Sequence, residues 1–258
     1  MDLKILVATQ KKYWIPADSV YFPLQVGAEG KPKLGYARDN IGENISKKNP
    51  NYCELTGLYW AWKNLDVEYI GLCHYRRYFA SSVHSRDLDK KKKAILKKAD
   101  YEKLLSTYDV ILPTQRNYYI ETVRSQYEHA HFKKDLDTVQ NIIAETESSY
   151  LEAFQKVMGQ RRLHLYNMFV MKKKDFDSYC KWLFGILEKA EKEIDTTTYS
   201  LYEARVYGFL AERLFNVWLT KQQMKTIEVP VVCLEPIDWP AKIANFLKRK
   251  FLHTENRT

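Results

Sequence analysis

Short apolar runs alternate with amphipathic helical segments along the chain, and this alternation limits the folds that the chain can adopt. The apolar runs predict strands at 4–8, 67–73, 108–112, 163–171 and 229–234. Helical spacing of apolar residues predicts helices at 49–65, 87–106, 120–158, 175–193, 202–220 and 239–252. Strands that alternate with helices indicate an α/β domain with a mostly parallel sheet.

Residues 9–48 show no clear periodicity and contain four glycines, at positions 27, 30, 35 and 42. A connection of this length is uncommon inside a compact domain and is usually functional. We therefore expect this segment to contribute to a ligand site, or to contain an element that the pattern does not show.

The composition excludes a disordered chain and indicates an anionic partner. Of the 258 residues, 45% are hydrophobic and 28% are charged, as in ordinary globular domains. Lys and Arg number 41 against 32 Asp and Glu, which gives a net charge of +9. A basic domain of this kind usually meets nucleic acid, a phosphorylated ligand or an anionic membrane. The 14% aromatic content, with 19 tyrosines, suits ligand clefts as well as cores.

The cysteine positions and the short apolar runs indicate an intracellular protein. The four cysteines, at 53, 73, 180 and 233, are too scattered for a disulfide framework or a zinc site, so we expect buried, reduced thiols. The N-terminal apolar run of five residues is too short for a signal peptide, and no apolar run is long enough to span a bilayer. These features predict a protein that stays on the cytoplasmic side of the membrane.

The segment from His74 to Arg77, which reads His-Tyr-Arg-Arg, directly follows the predicted strand 67–73. In open α/β sheets, ligands bind at the carboxyl ends of the strands. Adjacent arginines beside tyrosines offer bidentate donors for a diphosphate and ring faces for a base or a sugar. The alternative, a surface turn whose arginines pair with nearby carboxylates, is equally compatible with this position.

Polar residues also gather before the predicted helix 49–65. Asp39, Asn40, Asn44 and Asn49 lie there, with Pro50 at a position typical of a helix start. The free N–H groups of a helix N-terminus attract phosphate. Ordinary turn and capping chemistry explains the same residues without a ligand.

Candidate acid, base and sugar-binding groups occur on three later segments. Each also has a structural explanation: a solvated helix, a bonded backbone group or a buried ion pair. The candidates are His131 and Asp135 on the predicted helix 120–158, Tyr166 and Asn167 in the strand 163–171, and Glu203, Arg205 and Glu212 on the helix 202–220.

The last predicted helix, 239–252, has apolar residues on one side and lysines and arginines on the rest. This pattern is typical of an interfacial helix that lies on an anionic membrane. The alternative is a last helix whose apolar side packs on the core of the domain.

Several motifs of nucleotide and hydrolytic sites are absent from the sequence. It contains no G-x-G-x-x-G, no phosphate loop of the G-x-x-x-x-G-K-S/T form and no G-x-S-x-G. Asp-x-Asp occurs at 87–89 and 135–137, but both copies fall on predicted helices or loops, and neither ends a central strand.

Several blocks together resemble a bacterial family of capsular-polysaccharide and O-antigen glycosyltransferases that has long been described as a domain of unknown function. The blocks extend over nearly the whole chain, from about residue 4 to residue 220. They are 7–11, 26–30, 39–46, 49–64, 71–79, 166–171 and 205–214. The long blocks 49–64 and 71–79 are the most specific.

The resemblance implies a GT-A-like transferase domain at 1–235, followed by a basic amphipathic tail at 236–258. Such an enzyme moves a hexose from a UDP-sugar to an acceptor hydroxyl, and some relatives use galactose in its furanose or pyranose form. The implied acceptor is a glycan on a polyprenyl diphosphate, in capsule, O-antigen or exopolysaccharide synthesis. The tail would hold the protein on the inner face of the cell membrane.

The resemblance also implies roles for single residues. The donor side would comprise Thr9, Lys11, Asp39, Asn40, Asn44, Asn49, Tyr52, His74, Tyr75, Arg76 and Arg77. The acceptor side would comprise His131, Tyr166, Asn167 and Arg205. Arg76 would act on the leaving group, and the candidate bases, in order of preference, are Glu203, Asp135 and Glu212.

The sequence departs from the usual GT-A pattern at the end of the strand 67–73. GT-A enzymes usually carry Asp-x-Asp there for a divalent metal, whereas this chain reads His-Tyr-Arg-Arg. The departure favours a site without a cofactor, in which arginines neutralise the leaving diphosphate; Mn²⁺ or Mg²⁺ is the alternative.

Two other classes of function remain open. The net charge and the lysines between 90 and 98 are compatible with a module that binds RNA or another polyanion without chemistry. No recognised nucleic-acid motif supports that interpretation, so we expect no nucleic-acid partner. A scaffold subunit of polysaccharide assembly that has lost its activity is the third possibility.

Overall fold

Eleven strands and nine helices follow one another in residues 1–82 and 85–236, the part of the chain that the computed structural model describes. The strands are β1 (Leu3–Thr9), β2 (Tyr21–Gln25), β3 (Ala37–Arg38), β4 (Tyr69–His74), β5 (Arg77–Phe79), β6 (Val110–Pro113), β7 (Arg116–Asn117), β8 (Arg162–Leu163), β9 (Phe169–Lys172), β10 (Thr226–Val229) and β11 (Val231–Cys233). The helices are α1 (Asn49–Tyr52), α2 (Leu55–Asn64), α3 (Leu88–Ala94), α4 (Lys98–Leu105), α5 (Val123–Ala130), α6 (Lys133–Thr146), α7 (Leu151–Gly159), α8 (Lys173–Glu193) and α9 (Val206–Gln222). The predicted alternation of strands and helices is confirmed.

One central sheet organises the molecule, with the strand order β10-β6-β9-β4-β1-β2-β3. Four pairings along this row are parallel, and the two antiparallel ones both involve β9. Strand β5 joins the side of β4 and pairs in turn with β11. The expectation of a mostly parallel sheet in an α/β fold is therefore correct, and the reversal of β9 is a feature that the sequence pattern did not show.

Both faces of the sheet are buried, which explains the continuous apolar runs of its central strands. Along β1, Ile5 and Val7 belong to one hydrophobic core, whereas Leu6 and Ala8 belong to the other. This alternation follows from the two-residue period of a strand. The core on the Leu6 side is built with α2 and α5 to α9, and the core on the Ile5 side includes residues of α4, β5 and β11.

Several predicted elements are divided in the structure, because a local break interrupts an otherwise suitable pattern. The segment 9–48 contains the short strands β2 and β3. The predicted helix 87–106 is α3 and α4, and the predicted helix 120–158 is α5, α6 and α7. Pro230 separates β10 from β11, because proline has no N–H for a sheet ladder. Within the described ranges, no helix is long and apolar enough to cross a membrane.

The predicted strand 163–171 is also divided, by a turn at Tyr166 and Asn167, which have φ values of 74° and 52°. Left-handed backbone of this kind ends a strand, so only β8 and β9 remain on either side. The predicted helix at 239–252 and nearly all of the predicted tail at 236–258 lie outside the described residues.

Gly71 in β4 allows the close approach of β9, and we predict that its replacement destabilises the fold. A Cβ at this position would lie 2.8 Å from the carbonyl oxygen of Phe169 and 2.8 Å from a methyl group of Val170. Overpacking of this kind costs about 1–3 kcal/mol, so Gly71→Ala should lower the free energy of unfolding in urea by that amount. The matched control is Gly185→Ala on an exposed position of α8, where a Cβ meets nothing within 4 Å. That change should stabilise the protein by about 0.5–1 kcal/mol. A free energy of unfolding that is unchanged or higher in Gly71→Ala would contradict the packing argument.

Candidate active site

A cleft of about 1070 Å³ opens where β1 and β4 end. The two strands are parallel neighbours, with Ala8 opposite His74, so their carboxyl ends lie side by side. Ligand clefts of α/β sheets lie at this edge. Among the charged groups that line the cleft, cations outnumber anions: there are five cationic side chains and two carboxylates. They are Lys11, Lys31, Arg76, Arg77 and Arg205, and Glu54 and Glu212.

The chain turns sharply after each of the two strands, and the turns bring cations to the cleft. After β1, the hydroxyl of Thr9 donates to the carbonyl oxygen of Lys11 at 2.6 Å and accepts from its N–H at 3.2 Å. After β4, His74 pairs with Arg77 across a two-residue hairpin turn. The turn residues are Tyr75 and Arg76, and both line the cleft. The carboxyl ends of two buried strands thereby hold a cluster of three cations.

A single carboxylate joins two of these cations. Glu235 Oε1 lies 3.1 Å from Lys11 Nζ, and Glu235 Oε2 lies 2.6 Å from an Arg76 nitrogen. The hydrogen bond from Arg76, together with that from Lys11, lowers the pKa of Glu235, which is therefore ionised at neutral pH. Lys11 Nζ also lies 4.8 Å from the ring centre of Tyr75 and 5.3 Å from that of Tyr13. We call Lys11, Arg76 and Arg77 the cationic corner.

Two carboxylates line another part of the cleft, and one turn of the chain contacts both. The N–H of Tyr166 donates to Glu212 Oε1 at 2.8 Å. The side-chain amide of Asn167 donates to Glu54 Oε1 at 2.8 Å. Burial raises the pKa of Glu212, and the neighbouring Arg213 opposes that rise. We call Glu54 and Glu212 the acidic floor.

The groups between the corner and the floor are held by further contacts. His74 Nε2 lies 2.8 Å from the carbonyl oxygen of Tyr166, and burial lowers the pKa of this imidazole, which favours its neutral form. Arg77 lies over the ring of Tyr166, with 4.6 Å from the guanidinium carbon to the ring centre. Arg205 donates to Cys53 Sγ at 3.2 Å. Burial raises the pKa of Cys53 to about 11, so this sulfur is a neutral thiol.

The end of β4 carries an imidazole, a tyrosine and two arginines, and no carboxylate. The two Asp-x-Asp sequences do not reach the cleft either. Asp87 accepts the N–H of Lys90 at the start of α3, and Asp135 and Asp137 lie on α6. In residues 1–82 and 85–236, no group of three or more His, Cys, Asp or Glu side chains is placed to hold a metal ion.

A family described as "Domain of unknown function (DUF4422)" matches residues 4–223. The chain belongs to this family. Among solved structures, it is similar to one titled as the apo structure of the bifunctional glycosyltransferase WbbM, with a TM-score of 0.83 and 28% sequence identity. That match covers 92% of this chain and 46% of the other, so this chain spans about half the length of WbbM. No functionally curated protein matches the sequence.

These comparisons confirm the resemblance that the sequence blocks indicated. The chain and the matched part of WbbM share one fold, and the expected GT-A-like α/β fold of this chain is confirmed. The sheet edge that carries the cleft is the edge at which we expected the nucleotide-sugar site.

The structure brings many of the predicted site residues of this DUF4422 chain together at the cleft. They come from segments that are far apart in sequence. The residues that line it are Thr9, Lys11, Asn49, His74, Tyr75, Arg76 and Arg77 of the expected donor side, Tyr166 and Arg205 of the expected acceptor side, and Glu212 of the candidate bases.

Four residues expected on the donor side do not line the cleft, because each is engaged elsewhere. Tyr52 is buried, and its hydroxyl donates to Glu191 at 3.2 Å. Asn44 donates to the carbonyl of Gly42 and accepts the N–H of Ser46, which closes a local turn. Asn40 contacts the side chains of Arg38 and Glu29.

The fourth, Asp39, is fully buried and organises the loop beside the cleft. Its two oxygens accept the N–H of Gly27 at 2.7 Å and that of Ala28 at 2.9 Å. They also accept the hydroxyls of Ser46 and Thr56, both at 2.6 Å. These four donors satisfy the carboxylate oxygens in the protein interior, so Asp39 holds the loop in place and does not bind a ligand.

Two of the three candidate bases, with the acceptor candidate His131, lie away from the cleft lining. Asp135 accepts the hydroxyl of Tyr199 at 2.8 Å, and burial raises the pKa of this carboxyl to about 6. Glu203 Oε2 lies 3.1 Å from His131 Nδ1. These contacts attach the segment 195–205 to α5 and α6. Asn167 is also outside the lining, and its side-chain amide donates to Glu54 Oε1.

The sequence interpretation missed several lining residues, and Glu54 is the most informative. Gln10, Lys31, Cys53 and Leu201 also line the cleft. The position of Glu54 in the sequence could have indicated its role. It stands directly before α2 in the block 49–64, and a block this specific suggests a functional role as well as a packing role.

We predict that Asp39 is essential for stability, because Asp39→Ala would leave the buried N–H groups of Gly27 and Ala28 without an acceptor. The loss should be about 3 kcal/mol in the free energy of unfolding, measured in urea. The control is Asn40→Ala, since Asn40 bonds only partly buried or exposed side chains, and its effect should stay near 0.5 kcal/mol. Equal effects of the two changes would show that Asp39 does not hold the loop.

Proposed function

We propose that this chain is a glycosyltransferase that moves a hexose from a UDP-sugar to a hydroxyl group of a lipid-linked glycan during polysaccharide synthesis. The observation that carries the proposal is the cleft itself. In a fold shared with a glycosyltransferase, one cleft combines a cationic corner with an acidic floor. Transfer from a sugar diphosphate needs both, because the leaving group gains negative charge while the acceptor hydroxyl loses a proton.

The cationic corner suits the diphosphate of the donor. Arginine offers a planar, bidentate donor set for phosphate oxygens, and Lys11 adds a point charge on the other side. Tyr75 and Tyr13, whose rings lie 5.0 Å apart, offer aromatic faces for a base next to these cations. Since the end of β4 carries cations and no carboxylate, we propose that Arg76 and Arg77 take the charge of the leaving UDP without a divalent metal.

Tyr166, Arg205 and Leu201 extend the lining beyond the donor groups, and we assign this side to the acceptor. Leu201 is 93% exposed, and an exposed leucine at a cleft mouth suits an acceptor with an apolar portion. A galactose donor, a polyprenyl diphosphate acceptor and attachment of the tail 236–258 to an anionic membrane are further parts of the proposal, which come from the family resemblance.

The direct test is a calorimetric titration of the full chain with UDP, with and without EDTA, followed by transfer assays of arginine variants. We expect saturable UDP binding that EDTA does not change. Arg76→Ala and Arg77→Ala should each lower kcat by about 10²–10³, as for removal of a donor to a developing charge. Arg76→Lys should not restore the rate, because lysine lacks the planar fork.

The matched control is Arg116→Ala, an exposed arginine on β7 outside the cleft lining, which should leave turnover unchanged. Full turnover in both arginine variants would contradict the leaving-group assignment. Binding that requires Mn²⁺ would keep the transferase but exclude the metal-free donor site. No UDP binding, together with salt-sensitive binding of polyanions, would favour the non-catalytic alternatives.

We also predict that Glu235 competes with the donor diphosphate, because its carboxylate contacts both Lys11 and Arg76. Glu235→Gln removes the charge and nearly preserves the shape. It should tighten UDP binding by about two- to fivefold, since partly exposed ion pairs contribute little. Glu193→Gln on an exposed position of α8 is the control and should not change the dissociation constant. Weaker UDP binding in Glu235→Gln would mean that this carboxylate orients Arg76 for the ligand.

A further inference from the structure

Unusual backbone conformations concentrate at the acidic floor. In the described part of the chain, five residues other than glycine have φ between 52° and 74°: Cys53, Tyr119, Tyr166, Asn167 and Gln223. Three of these, Cys53, Tyr166 and Asn167, lie at or beside the cleft. Cys53 combines its φ of 53° with a ψ of −131°, which side chains other than glycine rarely adopt. Strain of this kind persists where the surrounding structure imposes it, and it gathers at functional sites.

One hydrogen bond connects the two strained segments. Asn167 is 2% exposed, and its amide donates to Glu54 Oε1 at 2.8 Å and to the carbonyl of Gly208 at 3.3 Å. Its own oxygen, Oδ1, has no hydrogen-bond partner in the structure as described. A buried acceptor without a partner costs free energy, so the orientation of this amide is set by its two donor contacts. Packing alone does not require such an arrangement.

The packing of α9 against Cys53 supports this arrangement. A Cβ at Gly208 would lie 3.3 Å from both Cβ and Sγ of Cys53, so only a glycine lets the helix come this close without displacement. The backbone before Glu54 is therefore confined by α9, while its carboxylate is held by Asn167. Both constraints therefore act on the direction of the Glu54 side chain.

The two carboxylates of the floor differ in the use of their oxygens. Glu212 accepts the N–H of Tyr166 through Oε1 and a hydrogen bond from Arg213 through Oε2 at 3.1 Å. Glu54 accepts only through Oε1, and its Oε2 has no hydrogen bond to any residue in 1–82 or 85–236. A general base needs an oxygen lone pair within reach of the proton that it removes. Glu54 meets this requirement in the cleft, and Glu212 is committed to structural contacts.

We propose that Glu54 is the general base of the transfer and that Asn167 is its positioning residue; this assignment rests on the proposed function. The acceptor hydroxyl gives its proton to Glu54 Oε2, and the oxygen electron pair forms the bond to the anomeric carbon. The bond from that carbon to the diphosphate oxygen breaks, and its electron pair leaves with UDP at the cationic corner. One displacement of this kind inverts the anomeric configuration of the sugar.

The test compares Glu54→Gln with Glu212→Gln in the full chain. UDP release is measured from UDP-galactopyranose and UDP-galactofuranose with an octyl galactoside as acceptor, and UDP affinity is measured by calorimetry. Glu54→Gln should lower kcat by about 10²–10⁴, the usual range for loss of a general base, with the UDP dissociation constant within about threefold of wild type. The loss in Glu212→Gln should be smaller. Thermal unfolding of each variant shows whether it is folded, and Glu54→Asp provides a second, charge-preserving variant, which should retain more activity than Glu54→Gln.

Asn167→Asp tests the positioning role through the pH profile. Aspartate keeps the size of the side chain and tolerates left-handed backbone, but it places a second carboxylate beside Glu54. Like charges disfavour ionisation, so the acidic limb of the kcat profile should move to higher pH by roughly 1 unit. If the Asn167→Asp variant is active and the acidic limb of its kcat–pH profile is unchanged, Asn167 does not position Glu54.

Four further results distinguish a failure of the base assignment from a failure of the proposed function. If the wild-type chain turns over and Glu54→Gln loses little activity, the base assignment is wrong but the transferase function stands. The same holds if Glu212→Gln loses more activity than Glu54→Gln. A product that retains the anomeric configuration of the donor also overturns the base assignment. A wild-type chain that neither binds UDP nor releases it from either donor overturns the proposed function and the base assignment together.

Discussion

The parallel pairing of β1 with β4 is the constraint on which the site depends. Both strands are buried on both faces, and their register sets Ala8 against His74. The chain must leave the sheet at adjacent points, so the residues that follow each strand meet. Lys11 comes from one exit and the two arginines come from the other. The two carboxylates of the acidic floor line the same cleft but come from outside the sheet: Glu54 stands directly before α2, and Glu212 lies on α9.

Features that depend on neighbours in the chain could be predicted from the sequence. The alternation of apolar runs and helices gave the fold class, because each element shows its own periodicity. The segment from His74 to Arg77 could be assigned to a strand end, and so to the ligand edge, because it directly follows an apolar run. Breaks within elements were harder to predict from the sequence. Pro230 and the left-handed pair at Tyr166 and Asn167 interrupt strands without changing the apolar pattern of those strands.

Contacts between distant parts of the chain could not be predicted in this way. Glu235 pairs with Arg76 across 159 residues, and Asn167 contacts Glu54 across 113. Helical periodicity gave Asp135 a place on a helix but could not show whether it faced the cleft or Tyr199. Asp39 stands in a polar loop, where a ligand and backbone N–H groups compete for the same carboxylate. The structure resolves that competition in favour of the backbone, because Asp39 is fully buried among four donors.

The side chains of the cationic corner are less tightly fixed than those of the acidic floor, and this difference suits their proposed roles. The side chains of Lys11 and Arg76 are 54% and 38% exposed, so their pairs with Glu235 are screened by water and exchange at little cost. The carboxylates of the floor are fixed by a backbone N–H, a buried amide and Arg213. A phosphate ligand can therefore replace one carboxylate at the corner without disturbing the floor. A group that must accept a proton at a defined point gains from the opposite property, a direction fixed before the substrate arrives.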